Sequence, residues 1–220
     1  GPATARCLIL VTPCGQRTMN TYLGACVDLG PEDIDDALIQ RSRVIYLEGY
    51  LWDPPRAKEA MLRAANVAHA ADRKVALSLS DSFCVTRHHA EFKRLIDDHV
   101  DILFANEQEL MALTETSSFE AGAAAITGHC EYAVLTRGAR GAVVLHAGQS
   151  YEVPASPVER VVDTTGAGDL FAAGFLHGIT QGRSPGDAAR LGALCAAEII
   201  GHYGARPDVN LRVYAEKHGL

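Results

Sequence analysis

The chain has 220 residues, 48% of them hydrophobic and 21% charged, a composition that excludes an intrinsically disordered protein. Its formal net charge is −7, and Lys and Arg are scattered rather than striped, which excludes a nucleic-acid backbone as the expected partner. No apolar run approaches the roughly 18 residues of a membrane-spanning helix. The six cysteines, Cys7, Cys14, Cys26, Cys84, Cys130 and Cys195, form no C-x-x-C pair and fit neither a zinc site nor a disulfide framework. Most of them read as small buried hydrophobes in a reducing compartment. The start of the chain lacks the basic-then-apolar profile of a secretory signal, so a cytoplasmic location is expected.

In chain order, Arg6 to Val11 is a β-type run, followed by a turn at Pro13-Cys14-Gly15 and a second β-type run at Thr18 to Tyr22. Two such runs around a Gly-containing turn predict a hairpin. Strand and helix then alternate. Pro31 to Ser42 reads as an acidic amphipathic helix and Val44 to Glu48 as a buried strand. Pro54 to Ala71 is Ala-rich and helical, with Asp53 as the expected N-cap and the two prolines in its first turn. Val75 to Leu79 is a strand, Arg87 to His99 a helix and Ile102 to Ala105 a strand. Helices at Glu107 to Leu113 and Phe119 to Gly128 lead to a strand at Tyr132 to Thr136. Three further β-type stretches follow, at Ala142 to His146, Ser150 to Val153 and Val158 to Val162, and then helices at Gly168 to Gln181, Pro185 to His202 and Asn210 to His218. The repeated strand–helix–strand order predicts an α/β fold, with a mostly parallel sheet between helices and a small β appendage at the N-terminus.

The stretch Val162-Asp163-Thr164-Thr165-Gly166-Ala167-Gly168-Asp169 joins a predicted strand to a small-residue helix. Amides at a helix start are unpaired and carry partial positive charge, so an anion fits there, and glycine lets the backbone approach it closely. Asp169 stands at the mouth of that site. A carboxylate beside a bound phosphate is costly unless it has a task, such as taking the proton of an attacking hydroxyl, which is the layout of phosphoryl transfer. The residues alone leave a second reading, that Asp169 only caps the helix. There is no G-x-x-x-x-G-K-[ST] and no G-x-G-x-x-G, which excludes a Walker-A loop and a dinucleotide fingerprint.

DTTGAGD followed by a small-residue helix resembles the C-terminal motif of the ribokinase-like (PfkB) carbohydrate and nucleoside kinases. Three neighbours agree in order: Asn106-Glu107-Gln108-Glu109 resembles the family's N-x-x-E element, Thr136 to Gly141 its ATP-contacting turn, and Gly204-Ala205-Arg206-Pro207 its G-A-x-P stretch. The resemblance implies a three-layer ribokinase-like fold over residues 1–220, with Thr4 to Gly24 as part of a small β lid. It implies Asp169 as catalytic base and the amides of Gly166, Ala167 and Gly168 as the anion hole. Asn106 and Glu109 would serve Mg-ATP, with Mg2+ held through water. Thr136, Arg137, Gly138, Ala139, Arg140, Gly141, Gly168 and Ala193 would contact the nucleotide. Asp163, Thr165, Ile199, His202 and Gly204 fall where many members bind a monovalent cation such as K+, and Asp208 stands where ribokinases carry a Ser ligand.

Asn106, Thr136 and Asp169 each follow a predicted strand end or open the next element, where ligands of open parallel sheets sit. Singly, Asn106 and Glu109 also read as a helix cap with a first-turn acid, and Gly138 and Gly141 as an ordinary turn. Together they favour a kinase of a primary hydroxyl on a small nucleoside or sugar. The stretches GYLWD, LSLSDSFCV and EIIGHYGARP look most like bacterial adenosine kinase-like members, with ribose or a ketohexose as the other acceptor, or nucleotide binding without transfer as a further reading. The family's G-G-x-x-x-N motif is missing, since no Gly-Gly pair occurs. The resemblance therefore implies the C-terminal two-thirds of a kinase, and a homodimer is compatible with it. His88, His89 and His99 are expected to be solvated. Trp52 in GYLWD serves as an aromatic plug or lines a pocket. Ser80-Asp81-Ser82 follows a strand and comes within reach of a nucleotide edge.

Overall fold

Val75, Ala76 and Leu77 are consecutive and all fully buried, which requires both faces of their strand to be covered, as in the interior of a parallel sheet. The computed structural model, which describes residues 1–220, places them in β4 (Lys74–Ser78) of a six-stranded sheet. That sheet runs in the order β3 (Val44–Glu48), β4, β5 (Ile102–Asn106), β6 (Tyr132–Thr136), β7 (Ala142–His146) and β8 (Gln149–Val153). The pairs β3–β4 and β4–β5 are parallel. The links from β6 to β7 and from β7 to β8 are too short for a parallel crossover, which makes those two steps hairpins. The second turns through Ala147 and Gly148, both with positive φ, as a two-residue hairpin loop requires.

The helices are α1 (Asp36–Arg41), α2 (Pro55–Ala70), α3 (Ser82–Arg87), α4 (His89–His99), α5 (Glu107–Thr114), α6 (Phe119–Ile126), α7 (Ala167–Thr180), α8 (Pro185–Ile199) and α9 (Leu211–Lys217). The predicted α/β class, with a mostly parallel sheet flanked by helices, is therefore the observed one. β1 (Arg6–Val11) and β2 (Arg17–Tyr22) form a separate antiparallel hairpin, in register from Arg6 opposite Tyr22 to Val11 opposite Arg17.

The chain divides into two units. The first comprises residues 1–5, 23–135 and 145–149. In it α2 packs an alanine-rich stripe, Ala57, Ala60, Ala64 and Ala68, against β3 and β4. The second comprises residues 6–22, 136–144 and 150–220. Its centre is the contact of α7 with α8, where a Cβ on Gly174 would lie 2.8 Å from Gly192 Cα and one on Gly178 would lie 2.7 Å from Ala188 Cα. Only glycine lets these backbones come so close.

Several expectations are corrected. Val158 to Val162 forms no strand: Pro154 and Pro157 lack amide donors, and the Val162 amide donates instead to Ile200 O at 2.8 Å, at the end of α8. The helix expected over Pro31 to Ser42 is a 3-10 turn at Pro31–Asp33 and then α1, restarted by Asp35, whose carboxylate accepts from Leu38 N at 3.1 Å. Asp53 does not cap α2; Pro54 holds the N-cap position, and the Asp53 carboxylate meets Arg87 Nη2 at 3.0 Å and His88 Nε2 at 2.7 Å. His88 is thus partly buried and hydrogen-bonded to Asp53 rather than solvated, and His89 Nε2 lies 2.7 Å from Leu113 O. Trp52 is the expected plug, buried against Phe92 with its indole donating to Glu91 Oε2 at 2.7 Å. Of the cysteines, Cys84 and Cys195 are buried and Cys130 partly so, whereas Cys7, Cys14 and Cys26 are exposed. Cys7 and Cys14 belong to the hairpin, most of whose residues lie at the surface.

Candidate active site

In the first unit the polar residues gather beyond the carboxyl ends of β3, β4 and β5. The β3 and β4 ends approach so closely that a Cβ on Gly49 would lie 2.6 Å from Leu79 O. The turn after β4 puts Ser80 in the left-handed region, at φ 66, where a non-glycine residue is strained. Ser80 Oγ donates to Glu48 Oε2 at 2.7 Å, and Asp81 N-caps α3 by accepting from Phe83 N at 2.7 Å.

Asn106 ends β5 and N-caps α5 in a reciprocal arrangement with Glu109. Asn106 Oδ1 accepts from Glu109 N at 2.9 Å, while the Glu109 carboxylate accepts from Asn106 N at 2.9 Å and from its side-chain amide at 2.6 Å. This is a capping box. It carries an additional feature: Glu109 is only 7% exposed. Burial pushes its carboxyl up to about 7; the Asn106 amide opposes the shift, and the negative charges of Asp81 and Glu48 reinforce it. No group of three or more His, Cys, Asp or Glu side chains is arranged to hold a metal ion directly.

In the second unit, α7 begins at Gly166, which is the N-cap with φ 81, and no side chain caps the helix. Asp169 lies in the first turn with an exposed side chain, so capping does not account for it. No carbonyl accepts from the amides of Gly166, Gly168 or Asp169, whereas Ala167 N donates to Thr164 O at 3.3 Å. A Cβ on Gly168 would meet nothing within 4 Å outside its own helix, so the helix start is open on that side. An anion is stabilised at such a position by the amides and the helix dipole together.

The loop before α7 is fixed from inside. Asp163 Oδ1 accepts from Thr165 N at 2.9 Å and Thr165 Oγ1 at 2.6 Å, and Asp163 Oδ2 accepts from Gly204 N at 3.2 Å. Burial raises the Asp163 carboxyl, but these bonds and the Arg17 charge outweigh it and hold it below the usual range. Arg17 Nη1 donates to Thr164 Oγ1 at 2.7 Å, and that hydroxyl donates to Gly15 O at 3.3 Å. The sequence carries no local signal for this contact between residues 147 positions apart.

Of the expected cation-site residues, Asp163, Thr165 and Gly204 are joined by these hydrogen bonds. Ile199 is buried at the end of α8. His202 Nε2 lies 3.3 Å from Glu198 Oε1, and His202 Nδ1 lies 3.6 Å from Asp208 Oδ2. Burial disfavours the imidazolium of His202, but the Tyr203 carbonyl, Asp208 and Glu198 outweigh it and raise its pKa. Thr136 to Gly141 form the turn after β6, closed by Arg137 N donating to Gly141 O at 2.7 Å, with Gly138, Ala139 and Arg140 exposed. Ala193 is buried on α8. Sequence reasoning missed Arg17 and Glu198; the second could have been noticed as the one charge in Cys195-Ala196-Ala197-Glu198-Ile199-Ile200.

The model of the pfkB family carbohydrate kinases matches residues 2–211 of the chain. The solved adenosine kinase of Sinorhizobium meliloti is 51% identical with a TM-score of 0.96, over 99% of this chain and 67% of its own. A probable sugar kinase protein from Rhizobium etli is 50% identical with a TM-score of 0.96, over 98% of this chain and 66% of its own. A cytidine kinase from Thermococcus kodakarensis is 38% identical over 114 residues, which is 50% of this chain and 41% of that kinase. The chain spans about half the length of the curated relatives it matches.

Proposed function

The chain belongs to the pfkB family of carbohydrate kinases and has its ribokinase-like fold, and from that premise we propose that it transfers the γ-phosphoryl group of ATP to a primary hydroxyl of a nucleoside, adenosine before others. The observation that carries this reading is the start of α7, where the exposed Asp169 carboxylate stands beside the unpaired amides of Gly166 and Gly168. Asp169 takes the proton of the acceptor hydroxyl as its oxygen bonds to the γ-phosphorus and the bond to the β–γ bridging oxygen breaks, leaving ADP. The unpaired amides of Gly166 and Gly168 receive the negative charge of the moving phosphoryl oxygens, and Ala167 N joins them only on leaving Thr164 O. Arg17, one hydrogen bond from Thr164, adds positive charge beside the same loop. The turn from Thr136 to Gly141 offers exposed backbone to the nucleotide.

Glu109, Asp81 and Glu48 act on one another electrostatically, and that concentration of negative charge, with no directly ligating cluster, fits a divalent cation held through water. Asn106 and Glu109 would hold it. Bound there, Mg2+ supplies positive charge to the phosphate oxygens. Adenosine is favoured by the 51% identity to the Sinorhizobium enzyme. A sugar acceptor is the second reading, favoured by the 50% identity to the Rhizobium probable sugar kinase.

The test is ADP release from Mg-ATP by the folded chain with adenosine, other nucleosides, ribose and fructose as acceptors. Turnover with adenosine supports the first reading, and turnover with a sugar alone supports the second. ATP binding with no turnover on any acceptor overturns both.

A further inference from the structure

Ser80 is the centre of a three-residue turn: Asp81 N donates to Leu79 O at 2.7 Å, and Ser80 between them has φ 66. A γ-turn with positive φ at its centre is rare and strained, and glycine would adopt it without the strain. Such strain persists only where the surroundings over-determine it, and it clusters at functional sites. Here Leu79 is fully buried, and its amide ties the turn to β5 by donating to Phe104 O at 3.1 Å. Gly49 lies so close that a Cβ on it would be 2.6 Å from Leu79 O and 2.8 Å from Ser78 O. Ser80 N donates to Ser78 Oγ at 3.2 Å. Ser80 Oγ donates to Glu48 Oε2 at 2.7 Å, with Ser78 O farther off at 3.3 Å.

Of these contacts only the bond to Glu48 needs a side-chain donor at position 80. It joins the end of β3 to the turn after β4, and the next residue, Asp81, caps α3 through Phe83 N. The negative charges of Asp81 and Glu48 both act on the Glu109 carboxyl, which is bonded to Asn106 at the end of β5. One strained turn therefore connects the ends of three adjacent strands. Like charges drift apart unless something holds them, and the Glu48–Ser80 clamp holds Asp81 in place before any ligand arrives.

We infer that Ser80 is a positioning residue: clamped by Glu48, it fixes Asp81 relative to the Asn106–Glu109 pair and so pre-shapes the surroundings of the divalent cation. The inference rests on the assignment of Asn106 and Glu109 to that cation under the proposed function. Groups that orient a cation's ligands are worth about 10- to 100-fold in metal affinity.

The test is calorimetric titration of ADP into the folded chain, with Mg2+ and with EDTA. The wild-type chain is expected to bind ADP more tightly with Mg2+. Ser80→Ala and Ser80→Gly should each lose about tenfold of that Mg2+-dependent increment while keeping their ADP affinity in EDTA. Ser80→Asn should restore it, since asparagine tolerates positive φ and its amide donates to Glu48. Ser80→Gly should also melt above Ser80→Ala, because only glycine removes the strain. A full increment in Ser80→Ala and Ser80→Gly, no recovery in Ser80→Asn, or a Ser80→Gly chain that melts below Ser80→Ala overturns the inference and leaves the phosphotransferase reading standing. A wild-type chain that binds no ADP in either medium overturns both.

Discussion

Arg17 Nη1 donates a 2.7 Å hydrogen bond to Thr164 Oγ1, so the β1–β2 hairpin holds the loop that opens α7. A second tie runs from the same hydroxyl to Gly15 O at 3.3 Å, and Gly15 has φ 79, where any side chain is strained, with Val161 Cγ1 3.0 Å from where its Cβ would lie. Arg17→Ala removes one exposed hydrogen bond, so the loss of global stability should stay near or below about 1 kcal/mol. ATP affinity should fall by about tenfold or more, because a cation beside the anion loop is lost. Calorimetric titration of ATP checks this, and an unchanged affinity removes Arg17 from the phosphate site.

Gly166 and Gly168 sit two residues apart and respond oppositely to alanine. Gly166 has φ 81, and its Cβ would meet Ala205 Cα at 3.3 Å, so Gly166→Ala should destabilise the fold by about 1 kcal/mol or more. Gly168 is helical and faces open space, so Gly168→Ala should leave stability equal or raise it by up to about 1 kcal/mol. The new methyl nevertheless adds bulk at the helix start that carries the unpaired amides. Chemical denaturation should separate the two variants, while both bind ATP more weakly. Undiminished ATP affinity in Gly168→Ala would move the phosphate elsewhere.

The strand–helix alternation was legible because each element is short and strongly patterned. Val44–Glu48, Tyr132–Thr136 and Ala142–His146 have the boundaries that the sequence predicts. What failed depended on partners remote in sequence. Val158 to Val162 looks like a strand, but its last amide is taken by Ile200 at the end of α8. His88 looks solvated on a charged helix until the turn after β3 brings Asp53 to it. At the site, the glycines and Asp169 were legible because their chemistry is local to one turn. Arg17 and Glu198 were not, since an arginine on a hairpin and an acid in a helix acquire meaning only from the loops that fold against them.

Asp169 makes no cap, so replacing it leaves α7 and its amides intact. Asp169→Asn should retain ATP affinity within a few-fold and lose about 10²–10⁴ of kcat, the range for a general base. Titration of ATP alongside steady-state ADP release separates the two effects. Unchanged kcat would assign the proton to another group.

Glu109 makes stability depend on pH in a defined direction. Its carboxyl is raised from 4.5 to about 7 in the folded chain, first by burial and then by Asp81 and Glu48 against the Asn106 amide. Below pH 4.5 both folded and unfolded chains carry this proton, and burial costs nothing extra. As pH rises from there to about 7 the unfolded chain releases the proton while the folded chain keeps it, so this group lowers stability progressively. Above about 7 both are ionised and the penalty is complete, on the order of 3 kcal/mol. Glu109→Gln cannot ionise and should lack that slope, although it also gives up one bond of the capping box with Asn106. Urea unfolding of both chains across this window checks the sign: the difference between them should shift in favour of the variant as pH rises. A difference independent of pH would mean that Glu109 ionises in the fold as it does in water.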